Sequence, residues 1–475
     1  MKSKKSRILA AVLAAAMVSV AFAACDSSST ESGAASAGGE TTASTSTEGG
    51  ATGHVYYLNF KPEQAEQFED IAAAYTEATG VQVDVQTAAS GTYEQTLRSE
   101  MAKSDAPTIF ICNGPVGYKT WGSYCADLTD TDIAKHLTDD SLALKDGDKI
   151  VGVPLAVEGY GIIYNQAIMD KYFALDGAVV SSMDEINNFN TLKEVVEDMT
   201  AKKDQIGIQG VFASTSLKTG EDWRWQTHLA NVPITFELEE NNTDIAAGVP
   251  EITFKYADEY KNLFDLYLNN STTEPAMLGS KSVGDSTGEF ALGQCAMMQN
   301  GNWVWSDISN TDGNVVQAED IKFLPLYMGH EGEENQGLCI GTENFACINS
   351  KASAEDQQAS IDFLNWLYTG DGTDNVTKSP TEGGLGFIAP YDTFEGKAPD
   401  DPLAQQVSEW QNKDGIETVP WDFTCFPSQT FKDEFGADLL RYAQGQLDWD
   451  TLVQNVVNNW KTEAAATATS SEDAA

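Results

Sequence analysis

The sequence predicts an α/β fold of two lobes, and three observations support this prediction. Apolar, strand-like runs alternate with helical patterns from residue 55 to residue 112, which is typical of a parallel sheet with helices on its faces. The patterned part of the chain spans about 400 residues, which is too long for a single hydrophobic core. Residues 25–53 and 462–475 lack this patterning and flank the globular body.

The chain begins with a secretory signal, which we assign to residues 1–24. Basic residues at the start precede an uncharged apolar run over residues 8–20, shorter than the roughly 20 residues that span a bilayer. Small residues then precede Cys25, an arrangement that resembles a bacterial lipobox, with Phe22 where leucine is usual. This resemblance implies a lipid such as palmitate on the Cys25 sulfur. An ordinary signal followed by a chance cysteine is the alternative.

Two low-complexity segments flank the predicted lobes. Residues 25–53 consist almost entirely of Ser, Thr, Ala, Gly and Glu, so they cannot bury enough apolar area to order themselves, and we expect a flexible tether. Residues 462–475 have a similar composition, and we expect a disordered tail. Lipid, tether and body together predict a protein held on the outer face of the cell membrane.

The charge of the chain excludes some classes of partner. It contains 72 acidic and 28 basic residues, and removal of the signal with its four basic residues leaves a formal charge of −48. Nucleic acids and acidic membrane surfaces are therefore not expected as partners. The acidic residues are spread along the chain, which favours a role in solubility over recognition of a cationic ligand.

Cysteine and histidine usage predicts no metal site. There is no C-x-x-C pair, and four histidines offer no zinc-ligand spacing. Most of the remaining cysteines lie in apolar runs, so we expect buried free thiols. One disulfide, either Cys112–Cys125 or Cys339–Cys347, is the alternative.

The first lobe is predicted to span residues 54–165, with returning segments at about 325–390. Strands are expected at 55–58, 81–85 and 108–112, followed by two more at 150–153 and 160–164. Ligands bind beyond the carboxyl ends of the strands in such sheets. Asn59 and Asn113 follow the first and third strands, so both are candidate ligand-binding residues.

The second lobe is predicted over residues 166–324, with part of 391–445. It begins with helical patterns and continues with a strand at 206–212. Strand-like runs at 323–326 and 344–349 are expected to return the chain toward the first lobe. A closing helix is predicted at 446–461.

Three stretches resemble the extracellular solute-binding proteins of bacterial ABC transporters, in the carbohydrate-binding group that includes maltose-binding protein. The most specific is Glu289–Trp305, which is similar to the family segment F-x-x-G-x-A-M-x-x-x-G-x-W-x-W. Val153–Asn165 resembles the strand pair near the hinge, and Ala106–Phe110 resembles A-P-D-I-F, with Thr108 in place of the acid. The resemblance implies a periplasmic-binding-protein-like fold: two α/β lobes, a hinge and a ligand in the interlobe cleft.

Sugars present flat apolar faces edged by hydroxyl groups, so a sugar site needs aromatic planes and polar side chains. Two W-x-W segments, at 223–225 and 303–305, could supply rings. In an extended segment both rings of a pair would share one face, whereas in a helix they diverge by about 200°, so only one can face the cleft. The resemblance favours Trp303 at the ligand and Trp305 in the core. For Trp225, ligand contact and lobe core stay equal alternatives.

Further candidates come from loops and strand ends. They are Asn302 beside Trp303, Glu158 and Tyr160 near the predicted hinge, and Trp421 in a late loop. Each has a structural alternative: a cap, a turn, or packing under a loop.

These observations predict a lipid-anchored, monomeric component of an ABC importer that passes a sugar or oligosaccharide to the transmembrane permease subunits. No cofactor and no catalysis are expected, since no nucleophile elbow, metal motif or phosphate loop is present. One alternative is a binding protein for a peptide or polyamine. A surface glycoside hydrolase is the other, and it would need two suitably placed carboxylates.

Overall fold

A computed structural model describes residues 53–89, 91–245 and 248–472. The predicted signal, Cys25 and nearly all of the predicted tether lie outside these residues. The strands are β1 His54–Asn59, β2 Gln82–Thr87, β3 Ile109–Asn113, β4 Leu144–Asp146, β5 Lys149–Pro154, β6 Glu158–Asn165, β7 Met297–Gly301, β8 Ile321–Leu324, β9 Gln336–Gly341, β10 Asn344–Ile348 and β11 Glu417–Val419.

Helices account for much of the remaining chain. They are α1 Ala65–Thr79, α2 Tyr93–Met101, α3 Gly114–Trp121, α4 Asp132–Lys135, α5 Gln166–Phe173, α6 Phe189–Ala201, α7 Lys203–Ile206, α8 Ala230–Glu240, α9 Ala257–Asn270, α10 Val283–Ala291, α11 Trp305–Asn310, α12 Ala354–Thr369, α13 Asp374–Thr377, α14 Pro402–Gln411, α15 Gln429–Ala443 and α16 Trp449–Glu472.

The first lobe is built on a sheet with the strand order β2-β1-β3-β10-β5-β4. Strand β1 pairs in parallel with β2 and β3, whereas β10 runs antiparallel to β3 and β5. Helices α1 and α12 bury apolar residues against this sheet, including Phe68 and Phe363. Helix α1 ends at Gly80, whose φ of 79° is a left-handed conformation that glycine adopts without strain.

The second lobe has its own sheet and its own apolar core. Its strand order is β11-β9-β6-β7, and β8 also pairs with β6. Strand β6 is buried along its whole length because antiparallel partners flank it and core residues cover both of its faces. Helix α10 starts with a capping box between Ser282 and Asp285, which satisfies backbone N–H groups at its first turn.

The chain crosses between the sheets earlier and returns later than the sequence analysis expects. Strand β6 belongs to the second sheet, so the first crossing lies at residues 155–157, not after 165. Strands β8 and β9 also belong to the second sheet, and the chain returns at β10. Buried apolar strands look alike in sequence whichever sheet they join, which explains these shifted boundaries.

Two further expectations are wrong in detail. Residues 206–212 do not form a strand. Helix α7 extends to Ile206 and is ended by Gly207, which adopts a left-handed conformation. Of the residues that follow, only Phe212 makes isolated β-bridges. Helix α16 continues to Glu472, through part of the expected disordered tail. Its alanine-rich run favours helix, and Ser428 Oγ donates a 2.6 Å hydrogen bond to Glu463.

Among the described residues, no helix has both the length and the apolar character needed to cross a membrane. The six cysteines in this part of the chain are free thiols, so neither alternative disulfide is formed.

Candidate functional site

The candidate site lies where the two lobes face each other beside the crossing segments. Lys61, in the loop after β1 of the first lobe, points its ammonium nitrogen at Trp303 of the second lobe, 5.9 Å from the ring centroid. Helix α3 of the first lobe also contacts residues 422–425 of the second lobe. We call the space between these elements the interlobe cleft.

A buried ion pair connects the first lobe to the start of β6 in the second lobe. Lys61 Nζ donates to both carboxylate oxygens of Glu158, at 2.6 and 2.7 Å, and both residues are 4% exposed. Glu63 lies 3.7 Å from the same nitrogen. Burial lowers the pKa of Lys61, but the carboxylates of Glu158 and Glu63 outweigh burial and raise it above its ordinary value. Lys61 therefore stays charged in the cleft.

The carboxyl group of Glu63 behaves differently. Burial raises its pKa to about 7, although the charge of Lys61 acts in the opposite direction. Glu63 is thus a group beside the cleft that changes charge near neutral pH.

An aromatic cluster forms the second-lobe side of the cleft. Its members come from four places in the chain and lie within 6.4 Å of a neighbouring ring. They are Tyr160, Trp223, His228, Trp303, Trp421 and Phe423. Tyr160 stacks on His228 with centroids 4.3 Å apart, and Trp303 lies 6.0 Å from Trp223 and 6.4 Å from Trp421.

Two glycines let the tryptophans of this cluster lie flat against the backbone. The ring of Trp303 covers Gly301, where a Cβ atom would overlap the indole. The indole of Trp421 covers Gly341 in the same way, and a Cβ there would lie 2.5 Å from Cγ of the ring. Any larger side chain at either glycine would displace the ring above it.

Several polar atoms around the cleft have no hydrogen-bond partner among the described residues. They include Asn113 Oδ1, Arg224 Nη1, His228 Nδ1, Trp303 Nε1 and Trp421 Nε1. Burying a polar group without a partner costs about 1–3 kcal/mol, so buried polar groups are normally paired. A polar ligand admitted between the lobes would supply partners for these buried donors and acceptors.

Arg224 is the most unusual of these groups. Its guanidinium carbon lies 3.9 Å from the ring centroid of Trp223, and the residue is only 4% exposed. Burial lowers its pKa to about 9, while the charges of Asp307, Glu221 and Glu63 act to raise it. The cation therefore lies beside the aromatic cluster with hydrogen-bonding capacity unused.

The structure separates the two rings of each W-x-W segment, as expected for helical backbone. Trp303 lies in the aromatic cluster, and Trp305 is buried in the second-lobe core. In the other segment Trp223 lies in the cluster, and of the two alternatives for Trp225 the structure favours the core. Trp225 packs on Phe264 and Tyr267, and its Nε1–H donates to the Thr215 carbonyl, so Trp225 is part of the core.

Three other candidate residues are occupied by contacts within the protein. Asn59 accepts from the Lys61 backbone N–H at 2.9 Å and donates to the Lys61 carbonyl at 2.9 Å, so it shapes the loop that carries Lys61. Asn302 Oδ1 accepts from the Gly159 N–H at 2.9 Å. Tyr160 donates to the His228 carbonyl at 3.1 Å. These contacts fix the three side chains in place and support the site.

Asn113, Glu158, Trp303 and Trp421 thus lie at the cleft, whereas the sequence candidates did not include Trp223, Arg224, His228 or Phe423. Trp223 could have been found from the W-x-W spacing alone, since either ring of the pair can face outward. Arg224–Leu229 forms a π-helical turn, a local distortion that is frequent at functional sites but has no clear sequence signature.

The sequence model of one protein family, the bacterial extracellular solute-binding proteins, matches residues 70–390, which is more than half of the chain. The chain belongs to this family. The match confirms the resemblance that the sequence motifs indicate.

Solved structures confirm the two-lobed α/β fold. A chitin oligosaccharide binding protein is 18% identical, with a TM-score of 0.66, and the alignment covers 88% of this chain and 100% of that one. The solute-binding protein RafE in complex with raffinose is 17% identical, with a TM-score of 0.65, covering 87% and 100%. The GacH receptor of Streptomyces glaucescens, solved without ligand and with acarbose, is 15% identical, with a TM-score of 0.61, covering 87% and 99%.

Proposed function

We propose that the protein is the lipid-anchored extracytoplasmic component of an ABC importer, and that it binds a sugar or oligosaccharide in the interlobe cleft for delivery to the membrane permease. The observation that carries this proposal is the aromatic cluster, in which two indole N–H groups have no hydrogen-bond partner among the described residues. Flat rings match the apolar faces of a sugar, and unpartnered donors match its hydroxyl oxygens. The ligands of the structural neighbours, raffinose, chitin oligosaccharide and acarbose, support a carbohydrate.

Each wall of the cleft has a distinct role in this proposal. Trp303, Trp223 and Trp421 stack on sugar faces, and the indole N–H groups of Trp303 and Trp421 donate to hydroxyl oxygens. From the first lobe, Asn113 accepts a hydroxyl hydrogen through Oδ1. Glu158 remains a candidate contact, although Lys61 already engages both of its oxygens.

The charges around the cleft favour a sugar over the alternative ligands. A polyamine would need ionised carboxylates free to receive its ammonium groups. Glu158 is held by Lys61, Arg224 adds a second cation, and burial raises the pKa of Glu63 and of Glu343, which favours their neutral forms. A peptide would be expected to use backbone hydrogen bonds from an open sheet edge, whereas the cleft is lined by side chains.

A glycoside hydrolase is disfavoured by the same ion pair. A catalytic acid must hold a proton and a nucleophile must be free to attack. Glu158 satisfies neither condition while both of its oxygens accept hydrogen bonds from the Lys61 ammonium group, so Glu63, whose raised pKa would suit an acid, finds no free nucleophile in Glu158. The family to which the chain belongs is also one of solute-binding proteins. We therefore propose that the bound sugar leaves the cleft unchanged.

The anchor is the part of the proposal that depends on the sequence alone. Cys25 lies outside the described residues, and its lipidation is inferred from the small residues before it and the polar segment after it. Cys25→Ala is expected to release the protein from the cell or to stall its processing. A variant that stays membrane-bound and correctly trimmed would disprove the lipobox interpretation.

A ligand screen tests the proposed function. The mature protein is incubated with mono- and oligosaccharides, short peptides and polyamines, and its thermal unfolding is recorded. A sugar at 100 times its dissociation constant should add about 2.7 kcal/mol to the free energy of unfolding. The bound sugar should be recovered intact after long incubation. Stabilisation by peptides or polyamines alone, or cleavage of the sugar, would contradict the proposal.

A further inference from the structure

Three cysteine thiols meet inside the first lobe, away from the aromatic cluster. Cys112 lies on β3 and Cys347 on the neighbouring antiparallel strand β10. Cys112 is opposite Phe345, two residues from Cys347, so both cysteine side chains lie on the same face of the sheet. Cys125 follows the turn at 122–124 that ends α3. Three separate segments thus bring their sulfur atoms to one place.

The sulfur atoms are close enough to share one ion. All three lie within 4.8 Å of one another, and those of Cys112 and Cys125 are 3.9 Å apart. In a tetrahedral zinc site, Zn–S bonds of about 2.3 Å place the sulfur atoms about 3.8 Å apart. Small side-chain adjustments would bring these three sulfurs to that spacing. A single disulfide, by contrast, would join two of them and leave the third thiol unused.

The hydrogen bonds that these thiols make within the protein, which would compete with metal binding, are weak. Cys125 Sγ lies 3.6 Å from the Trp121 carbonyl oxygen, and Cys347 Sγ lies 3.7 Å from the Phe345 carbonyl oxygen. No other group of three metal-ligating side chains occurs in the described part of the chain, and Cys295, Cys339 and Cys425 belong to no such group. The cluster is therefore distinct from the ordinary buried thiols of this protein.

The burial of the cluster leaves one side accessible. Cys112 and Cys347 are fully buried, whereas Cys125 is partly exposed. An ion could enter beside Cys125, and water could occupy a fourth coordination position there. Three protein ligands and one solvent ligand form a known arrangement for zinc.

We propose that Cys112, Cys125 and Cys347 bind one thiophilic divalent cation of the zinc class. Each thiol releases its proton to solvent as its sulfur coordinates the ion. The ion joins β3, β10 and the end of α3, and it thereby braces the strand that leads to Asn113 at the cleft. This proposal does not depend on sugar binding.

Cadmium provides the spectroscopic test, because cadmium thiolates absorb in the ultraviolet. The mature protein is reduced, freed of metal by a chelator and titrated with Cd²⁺ alone under anaerobic conditions. We expect the absorption to saturate at one ion per chain. Cys125→Ser should abolish this saturation, whereas Cys425→Ser, which changes another partly exposed thiol outside the cluster, should preserve it.

A second measurement uses the unaltered protein and so does not depend on how the variants fold. X-ray absorption of the zinc-loaded protein should show three sulfur neighbours at about 2.3 Å. A zinc ion with fewer than three sulfurs, no saturation at one equivalent of Cd²⁺, or a Cys125→Ser variant that still saturates would overturn the proposal. Peptide mapping that finds a Cys112–Cys125 disulfide in the untreated protein would also overturn it.

Discussion

The two walls of the interlobe cleft differ in chemistry. The second-lobe wall is aromatic, with Trp223, Trp303 and Trp421 as its largest members, and it packs on the buried core of that lobe. The first-lobe wall is polar, with Lys61 in the loop after β1 and Asn113 at the end of β3, two strands that pair in parallel. A ligand contacts both the aromatic and the polar wall only when the lobes lie close together. Under the proposed function, the second lobe supplies the stacking rings with their indole N–H groups and the first lobe adds further polar contacts, so that hinge closure would complete the site.

The largest loss of stability is expected from removing a ring that lies in the core behind the second-lobe wall. Trp225 is 2% exposed and packs among Phe264 and Tyr267, so Trp225→Ala should lower the free energy of unfolding by about 3–5 kcal/mol. Trp223→Ala, two residues away in the same segment, should cost clearly less because that ring is partly exposed. Denaturant unfolding measures both. Equal losses would show that Trp223 is also core.

The next largest effect is expected on the first-lobe wall. Lys61→Met would leave Glu158 buried without its counter-charge, which should cost roughly 3–5 kcal/mol. The double variant Lys61→Met/Glu158→Gln should recover much of this loss, because no uncompensated charge remains. A double variant as unstable as Lys61→Met would show that the packing of the Lys61 side chain, and not its charge, stabilises the fold.

A smaller effect should follow pH. The folded-state pKa of Glu63 is raised to about 7 from 4.5, so the folded protein holds this proton more tightly than the unfolded chain. Stability should therefore fall as pH rises from about 4.5 to 7, by about 3 kcal/mol at most from this group, and then level off. Glu63→Gln should remove this contribution. A stability curve that keeps its full slope in the variant would assign the pH dependence to other buried acids.

Much of the fold could be predicted from the sequence because its signals are local. The buried runs of β1 and β3 and the helical spacing of Phe68, Ile71 and Tyr75 indicate a parallel sheet without knowledge of any partner strand. The lobe boundaries could not be predicted in the same way. Whether β6 pairs with the first or the second sheet depends on contacts far along the chain, and its apolar sequence suits either.

The site was harder to predict than the fold, for a comparable reason. Helical geometry correctly separates the rings of each W-x-W pair, but it does not say which ring faces the core. In both segments that choice depends on tertiary packing: Trp305 and Trp225 meet core residues, and Trp303 and Trp223 meet each other. The partnership of Lys61 with Glu158, 97 residues away, leaves no pattern in either local sequence.

The central claim, that the aromatic wall binds the sugar, is tested most directly by isothermal titration of the best sugar from the screen against Trp303→Ala. Loss of a stacking ring should weaken binding by about 2 kcal/mol, or roughly 30-fold, with little loss of stability. Trp410→Ala is the matched control, since Trp410 is also partly buried but lies beside Lys413, outside the aromatic cluster, and its loss should leave affinity unchanged. Unchanged affinity in Trp303→Ala, or equal losses in both variants, would contradict the account.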